Sequence, residues 1–357
     1  GAEPISWDLC EEFLDALAPH GLKRNTMLPV YGLAEATVGV SFSPLGPAYE
    51  RVVMDRHSLQ IGETYRPVDP ADADAVSFVK VGGAIRDVNI RIAGDDDQVL
   101  TDGHIGHIQL RGGSVTERIY GDDGATTELF TEDGWLRTGD CGVFVDDALV
   151  ITGRQKDIII VNGQNYYPHD IEEIVAQLDG LDLNKVVVAG ATPKGGQTEE
   201  LITFVLFRQD PDSFRPLVQQ VRDIVGEHAG LEVDKVIPVA RIPKTTSGKV
   251  QRAKLLQAYA DGEFDEALSV LAPEDDSDED GVDEDPIVAE LVAICREVAK
   301  DRKIGPDDNL FEVGVTSLTL TEIVLAVDEK YPGKLDISDL FDYPTLREIA
   351  ALLTRET

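Results

Sequence analysis

The sequence predicts a multidomain protein, α/β and then α+β in class, that closes on a small helical bundle. Three observations carry this: alternating apolar segments broken by Gly and Asp turns up to residue 152, strands interleaved with amphipathic helical stripes over 158–260, and three helical stripes without strand patterning after an acid-rich break. A chain of 357 residues that is 42% hydrophobic can fill two or three cores.

Residues 1–45 place Leu9, Phe13, Leu14 and Leu17 at helical spacing, followed by MLPVYGLAEA, a strand running into a glycine turn; this is the tail of an α/β domain. Over 50–152, VNIRIAG, HIGHIQLRG and ALVITG alternate as strands of a small antiparallel barrel or sandwich. From 158 to 260 the strands DIIIV, KVVVAG, LITFVLF and VIPVA alternate with helices. Pro168 opens one helix with Ile171, Ile174, Val175 and Leu178 on a face, and Leu217, Val221, Ile224 and Val225 mark another.

The segment PEDDSDEDGVDEDP (273–286) holds nine acids and almost nothing apolar, so it buries too little to fold alone and reads as a linker. As a flexible coil, 269–286 reaches roughly 25 Å, and charge repulsion extends it. Beyond it, Ile287, Leu291, Ile294 and Val298 form one stripe, Leu320, Ile323, Val324 and Val327 a second, and Leu346, Ile349 and Leu353 a third with Pro344 and Thr345 at its start. No internal repeat is present.

With 32 basic and 67 acidic residues the net charge is −35, which excludes nonspecific binding to nucleic acid or anionic membranes by repulsion. No stretch has the ~18–20 apolar residues of a membrane helix, and GAEPISWDLCEEF lacks a basic start and long apolar core. A cytoplasmic protein without membrane insertion is expected. Cys10, Cys141 and Cys295 lie far apart in apolar or mixed segments and offer neither a disulfide framework nor a CxxC metal site.

Two segments carry chemistry on their own residue types. NLFEVGVTSLTL brings Ser317 through a glycine turn to a helix start, where unpaired N–H groups and the helix dipole favour a phosphate; taken alone it reads equally as a capping serine. RIPKTTSGKVQRAKL places Lys249 on a Gly-containing loop ahead of a helix, able to bring a point charge to an α-phosphate; most such lysines are simply solvated. A P-loop is excluded because Val250 follows Gly248-Lys249 and the upstream glycine spacing is lacking.

Taken together, these strings resemble known families. NLFEVGVTSL resembles the carrier domains of peptide and polyketide synthases, with Ser317 as the 4′-phosphopantetheine attachment site and Thr316 in place of the usual Asp. PKTTSGKVQR resembles the terminal signature of adenylate-forming enzymes, with Lys249 as the catalytic lysine. VYGLAEA resembles the YGxTE motif of that superfamily: Tyr31 and Gly32 would border the adenine, Glu35 would hold Mg²⁺ on ATP, and Ala34 replaces a threonine. WLRTGDCG supplies Asp140 to the ribose hydroxyls; outside the resemblance it is an ordinary Gly-Asp turn. In GRQKDIIIVNGQNYYPHDIE the resemblance implies Arg154 at the ribose and Lys156 as the hinge of a lid domain, with solvated charges in a turn as the plain alternative. NGQNYYPHDIE, YGLAEA and the opening GAEPI place the chain nearest the fatty acyl-AMP ligases, where Gly1, Ala2 and Glu3 would border the nucleotide. His104–His107 spell HIGH, a tRNA synthetase signature, but in an alternating strand context, so both histidines read as structural; His20, His57, His169 and His228 share no metal-ligand spacing.

The resemblance implies the end of a large adenylation subdomain (1–152, an α/β tail plus β-barrel), a hinge (153–157), an α+β lid (158–268), a linker (269–286) and a carrier domain (287–357). It begins partway through the catalytic domain. The implied function is ATP-dependent activation of a fatty or other carboxylic acid and transfer to the carrier thiol, serving lipopeptide or polyketide assembly. A phosphopantetheinyl transferase, a downstream synthase module and a separate N-terminal adenylation half are the partners it implies. The alternatives are a non-catalytic carrier or docking half and an acyl-CoA ligase; the tethered thiol argues against the latter by its high effective concentration.

Overall fold

The computed structural model describes residues 1, 3–161, 163–192, 199–246, 248–271, 285–299, 304–310 and 317–354. Ala2, most of the acidic segment and Thr316 lie outside them. The chain divides into two units: Gly1–Arg208 with Gln220–Glu263, and Gln209–Gln219 with Phe264–Thr357.

The first unit opens with helix α1 (Trp7–Leu17), capped by the Ser6 hydroxyl accepting from the Leu9 N–H (3.4 Å). Leu14 packs with Tyr49 and Val79, and Trp7 and Cys10 lean on the same cluster. Leu9 and Phe13, expected on the apolar stripe, are 58% and 52% exposed. The inward seam runs through positions 7, 10 and 14, which leaves 9 and 13 off to the solvent side.

In chain order follow β1 (Val30–Tyr31), β2 (Ser41–Phe42), β3 (Arg51–Asp55), β4 (Ala75–Val79), β5 (Gly83–Ala84), β6 (Val88–Ala93), β7 (Gly106–Gly112), helix α2 (Asp123–Leu129), β8 (Leu136–Val145) and β9 (Ala148–Arg154). They form antiparallel sheets ordered β1-β2-β5, β3-β4 and β6-β7-β8-β9. Residues 81–82 continue along β9 through Val81 N–H to the Leu149 carbonyl and Leu149 N–H to the Gly82 carbonyl, both 2.8 Å. The antiparallel expectation is met, and His107 lies on strand β7 as the alternation predicts.

The same unit continues with the hairpin β10 (Ile159–Val161) and β11 (Gln164–Tyr166), helix α3 (Pro168–Val175), β12 (Val186–Ala191), β13 (Glu200–Leu206), helix α4 (Arg215–Ala229), β14 (Lys235–Val239) and helix α5 (Arg252–Ala260). The sheet runs β12-β13-β14, antiparallel then parallel. Proline at its first turn starts α3, which ends at Val175, so Leu178 falls beyond the helix. Helix α4 buries Val221 and Val225 as its spacing predicts, and spans the boundary between the units.

Two side chains join these halves of the first unit. Tyr167 is buried among Met54, Leu59, Val76, Phe78 and Val150, and its ring leaves no room at Gly153, where a Cβ would come within 2.3 Å of it. Arg56 is only 4% exposed; it grips Asp170 of α3 through Nε (2.7 Å) and Nη2 (3.2 Å) and donates Nη1 to the His228 carbonyl (3.0 Å).

The second unit holds helix α6 (Asp265–Leu271), then α7 (Pro286–Val298), α8 (Ser317–Lys330), α9 (Asp339–Asp342) and α10 (Leu346–Leu353). Val288, Leu291, Ile294, Leu320, Ile323, Val327, Leu346, Ile349 and Leu353 form one core, built from the three predicted stripes. Thr345 and Glu348 close a capping box at α10.

Arg56→Met is expected to cost about 3–5 kcal/mol, because it leaves Asp170 charged and buried, and Arg56→Met/Asp170→Leu recovers most of that in urea melts. A second expectation concerns pH. Burial pushes the Glu173 carboxyl of α3 up to about 7, against a hydrogen bond from Ser6, and pushes His169 down to about 4. Folded Glu173 keeps its proton longer than the unfolded residue, so it makes stability fall as pH rises from 4.5 to 7. Folded His169 resists protonation, so it makes stability rise from 4 to 6.5. The slopes oppose each other, and Glu173→Gln should expose the rise in pH-dependent melting.

Candidate nucleotide site and carrier attachment site

The centre of the first site is Asp140. Three residues of β8, Thr138, Gly139 and Asp140, stand opposite the single residue Ile108 of β7, because Cys141 pairs with His107 and Arg137 with Gln109. Gly139 takes φ +73°, a backbone state open to glycine, and makes this bulge possible. The Thr138 hydroxyl donates to the Ile108 carbonyl (2.7 Å) and accepts from the Asp140 N–H (3.0 Å), which fixes the bulge. The expected Gly-Asp turn is therefore a distortion inside a ten-residue strand.

The bulge aims Asp140 at two partners. The Tyr31 hydroxyl, at the end of β1, donates to one carboxylate oxygen (2.7 Å) and Arg154 Nε, at the end of β9, to the other (2.9 Å). Asp140 is 6% exposed, while about half of the Arg154 side chain faces solvent. Burial, then the Asp140 charge and hydrogen bond, hold the Tyr31 phenol well above its ordinary range, so it stays a donor. For Arg154 the Asp140 charge and hydrogen bond outweigh the lowering by burial, and its pKa rises.

Around this cluster, Gly1 lies against β1, where a Cβ would come 2.9 Å from the Val30 carbonyl oxygen; Glu3 is exposed. Gly32 begins a loop that folds back so tightly that a Cβ there would fall 1.5 Å from the Val38 carbonyl oxygen. Thr37 and Val38 take φ +55° and +79°, a strained state for a β-branched residue. Glu35 sits exposed on a short 3₁₀ turn, Ala34–Ala36, held by the Thr116 N–H on its carbonyl (2.7 Å). Lys156 is exposed on the 3₁₀ turn Gln155–Asp157 that follows Arg154.

Lys249 is exposed on the turn between β14 and α5. Among the described residues no hydrogen bond or ion pair links its side chain to Tyr31, Asp140 or Arg154, and no group of three or more His, Cys, Asp or Glu is placed to hold a metal ion. No helix among the described residues is long and apolar enough to cross a membrane. In the second unit Ser317 is the first residue of the 14-residue α8.

Residues 289–353 match the phosphopantetheine attachment site family. The chain is 26% identical to McyG A-PCP complexed with phenylalanyl-adenylate, over 99% of this chain and 53% of that one, at a TM-score of 0.69. The chain belongs to the adenylate-forming superfamily and ends in a carrier domain. It is also 32% identical to the 4-hydroxyphenylalkanoate adenylyltransferase of Mycobacterium tuberculosis, over 74% of this chain and 45% of that protein. Fatty acyl-adenylate ligases from E. coli and L. pneumophila share its fold at a TM-score of 0.65 and 28% identity, over 73% of this chain and 47% of theirs. The chain thus spans about half the length of these relatives.

Sequence reasoning missed Thr138, although its place two residues before Asp140, with glycine between, marks the bulge. It also missed Glu172 and Arg252, 80 residues apart, which meet only in the folded chain. Gly32→Ala is expected to force the 32–40 loop open and cost about 1–3 kcal/mol by overpacking, read as a lower urea midpoint.

Proposed function

We propose that this chain supplies part of the machinery that activates a carboxylic acid as its acyl adenylate and hands the acyl group to a thiol carried on Ser317. The observation that carries the reading is the convergence of Tyr31 and Arg154 on the buried carboxylate of Asp140, in one chain with a carrier domain. A carboxylate accepts only, and each of its oxygens keeps a second lone pair, so Asp140 can take both ribose hydroxyls while Tyr31 and Arg154 hold it still. Lys249 then offers a point charge as a carboxylate oxygen bonds to the α-phosphorus and the bond to pyrophosphate breaks. Glu35, an exposed carboxylate, would offer one hard oxygen ligand to Mg²⁺, and the ion would offset phosphate charge.

In this reading 1–152 close the adenylation subdomain, 153–157 are the hinge, 158–268 the lid, 269–286 the linker and 287–357 the carrier. The lid turns about Lys156, withdrawing Lys249 and admitting the carrier thiol. The substrate is a fatty acid, favoured by the likeness to fatty acyl-adenylate ligases. A phosphopantetheinyl transferase primes Ser317, and a downstream synthase module receives the product in the cytoplasm.

The test primes the full chain with a promiscuous transferase, adds ATP, Mg²⁺ and mixed fatty and amino acids, and reads intact mass. A phosphopantetheine increment is expected that disappears in Ser317→Ala, then an acyl increment that disappears in Lys249→Ala. Priming without acylation would leave a carrier or docking half; no priming at Ser317 would sink the carrier assignment. Glu35→Gln should weaken acylation at limiting Mg²⁺ and spare priming.

A further inference from the structure

The turn that carries Lys249 is closed on itself. Lys244 bridges Val250, the Thr245 N–H donates to the Lys249 carbonyl (2.8 Å), and the Lys249 N–H donates to the Thr245 hydroxyl (3.0 Å). Gly248 turns at φ +94°, and the Gln251 N–H donates to the Pro243 carbonyl (2.9 Å). These bonds set the shape of the turn but not its place on the domain, which depends on the start of α5.

Arg252 is the first residue of that helix. Its Nη2 donates to Glu172 Oε1 of α3 (2.5 Å) and its Nε to the Val188 carbonyl of β12 (3.2 Å). The same Glu172 oxygen accepts the Val188 N–H (2.9 Å). Because β12 is the edge of its sheet, the outward peptide groups of Val188 lack a strand partner, and these two side chains satisfy both. Guanidinium, carboxylate and backbone form a closed ring. Glu172 is 8% exposed, and burial raises its carboxyl pKa against the pull of Arg252.

We propose that Arg252 is a positioning residue that, through Glu172, fixes where the Lys249 turn leaves the edge of the lid sheet. The inference rests on the reading of Lys249 as the lysine that meets the α-phosphate. A misplacement of about 1 Å can cost a reaction on the order of 100-fold, so a lysine on an exposed turn needs a rigid root. Arginine suits the task because its planar fork reaches Glu172 and Val188 together, whereas a lysine ammonium at the same place is a point charge without that fork.

Amide hydrogen exchange on the full chain tests this, with Arg252→Lys as the main variant and Arg252→Met/Glu172→Met as one that leaves no buried charge unpaired. Exchange over 244–250 should speed up about tenfold in both, with exchange over 200–206 of the sheet unchanged. Unchanged exchange over 244–250, or acceleration shared equally by the sheet, would overturn the proposal and leave Arg252 a clamp of the β12 edge alone. Lys249→Ala separates the two ideas: if it leaves acylation intact, the reading of Lys249 fails, while the exchange result still decides whether Arg252 roots the turn.

Discussion

The nucleotide-site end of the first unit is organised around the buried carboxylate of Asp140. Asp140 brings together the end of β1, the bulge of β8 and the end of β9, segments whose outer members lie more than a hundred residues apart in sequence. A charge so deeply placed is tolerable only with partners on both oxygens, and breaking such a set costs several kcal/mol. That requirement explains the local irregularities. Gly139 has to take a left-handed backbone so that Thr138 can turn back to Ile108, and Tyr31 has to end its strand where the Gly32 loop folds against Val38. The Gln155–Asp157 turn begins immediately after Arg154, so one of its ends is moored to this cluster.

The other end is moored differently. Tyr167 fills the space over Gly153 and Arg56 holds Asp170, so the strands before that turn and the helix after it share buried contacts in this arrangement. The proposed rotation about Lys156 would have to give up the Arg56–Asp170 pair and withdraw Tyr167 from apolar neighbours. Buried pairs that add little net stability while joined, and much penalty when one partner is lost, favour discrete arrangements over a continuum. Rotation would therefore run between states that each re-satisfy Arg56 and Asp170.

Much of this was legible in the sequence because it rests on periodicity. The three bundle helices, the Pro168 helix and the strands at 88–93, 148–154 and 186–191 follow from spacing alone. Leu9 and Phe13 show where spacing fails: it reports an apolar stripe, not which neighbours exist to cover it. The motif residues Tyr31, Asp140 and Arg154 were legible as types, but their convergence was not, since it depends on which strand ends the folded sheets bring together. Arg56–Asp170 and Glu172–Arg252 were invisible for the same reason; each joins residues 80 or more positions apart, and as single letters they read as surface charges.

Electrostatics gives the Lys249 turn a further importance. A chain of net charge −35 repels the anions it is proposed to handle, ATP and a carboxylate. Yet Arg241, Lys244, Lys249, Arg252 and Lys254 lie within RIPKTTSGKVQRAK, a stretch with no acid. At physiological ionic strength fields fade over about 8 Å, so the distant acids matter less to a phosphate near that turn than the cations beside it. Arg252 is already committed to Glu172, which removes one of those cations from the count but fixes the others in space. A mobile loop carrying the same lysines would spread its charge over many positions and stabilise none of them well. Local positive charge in an acidic protein is thus useful to the extent that it is rooted, and the root here is a buried glutamate.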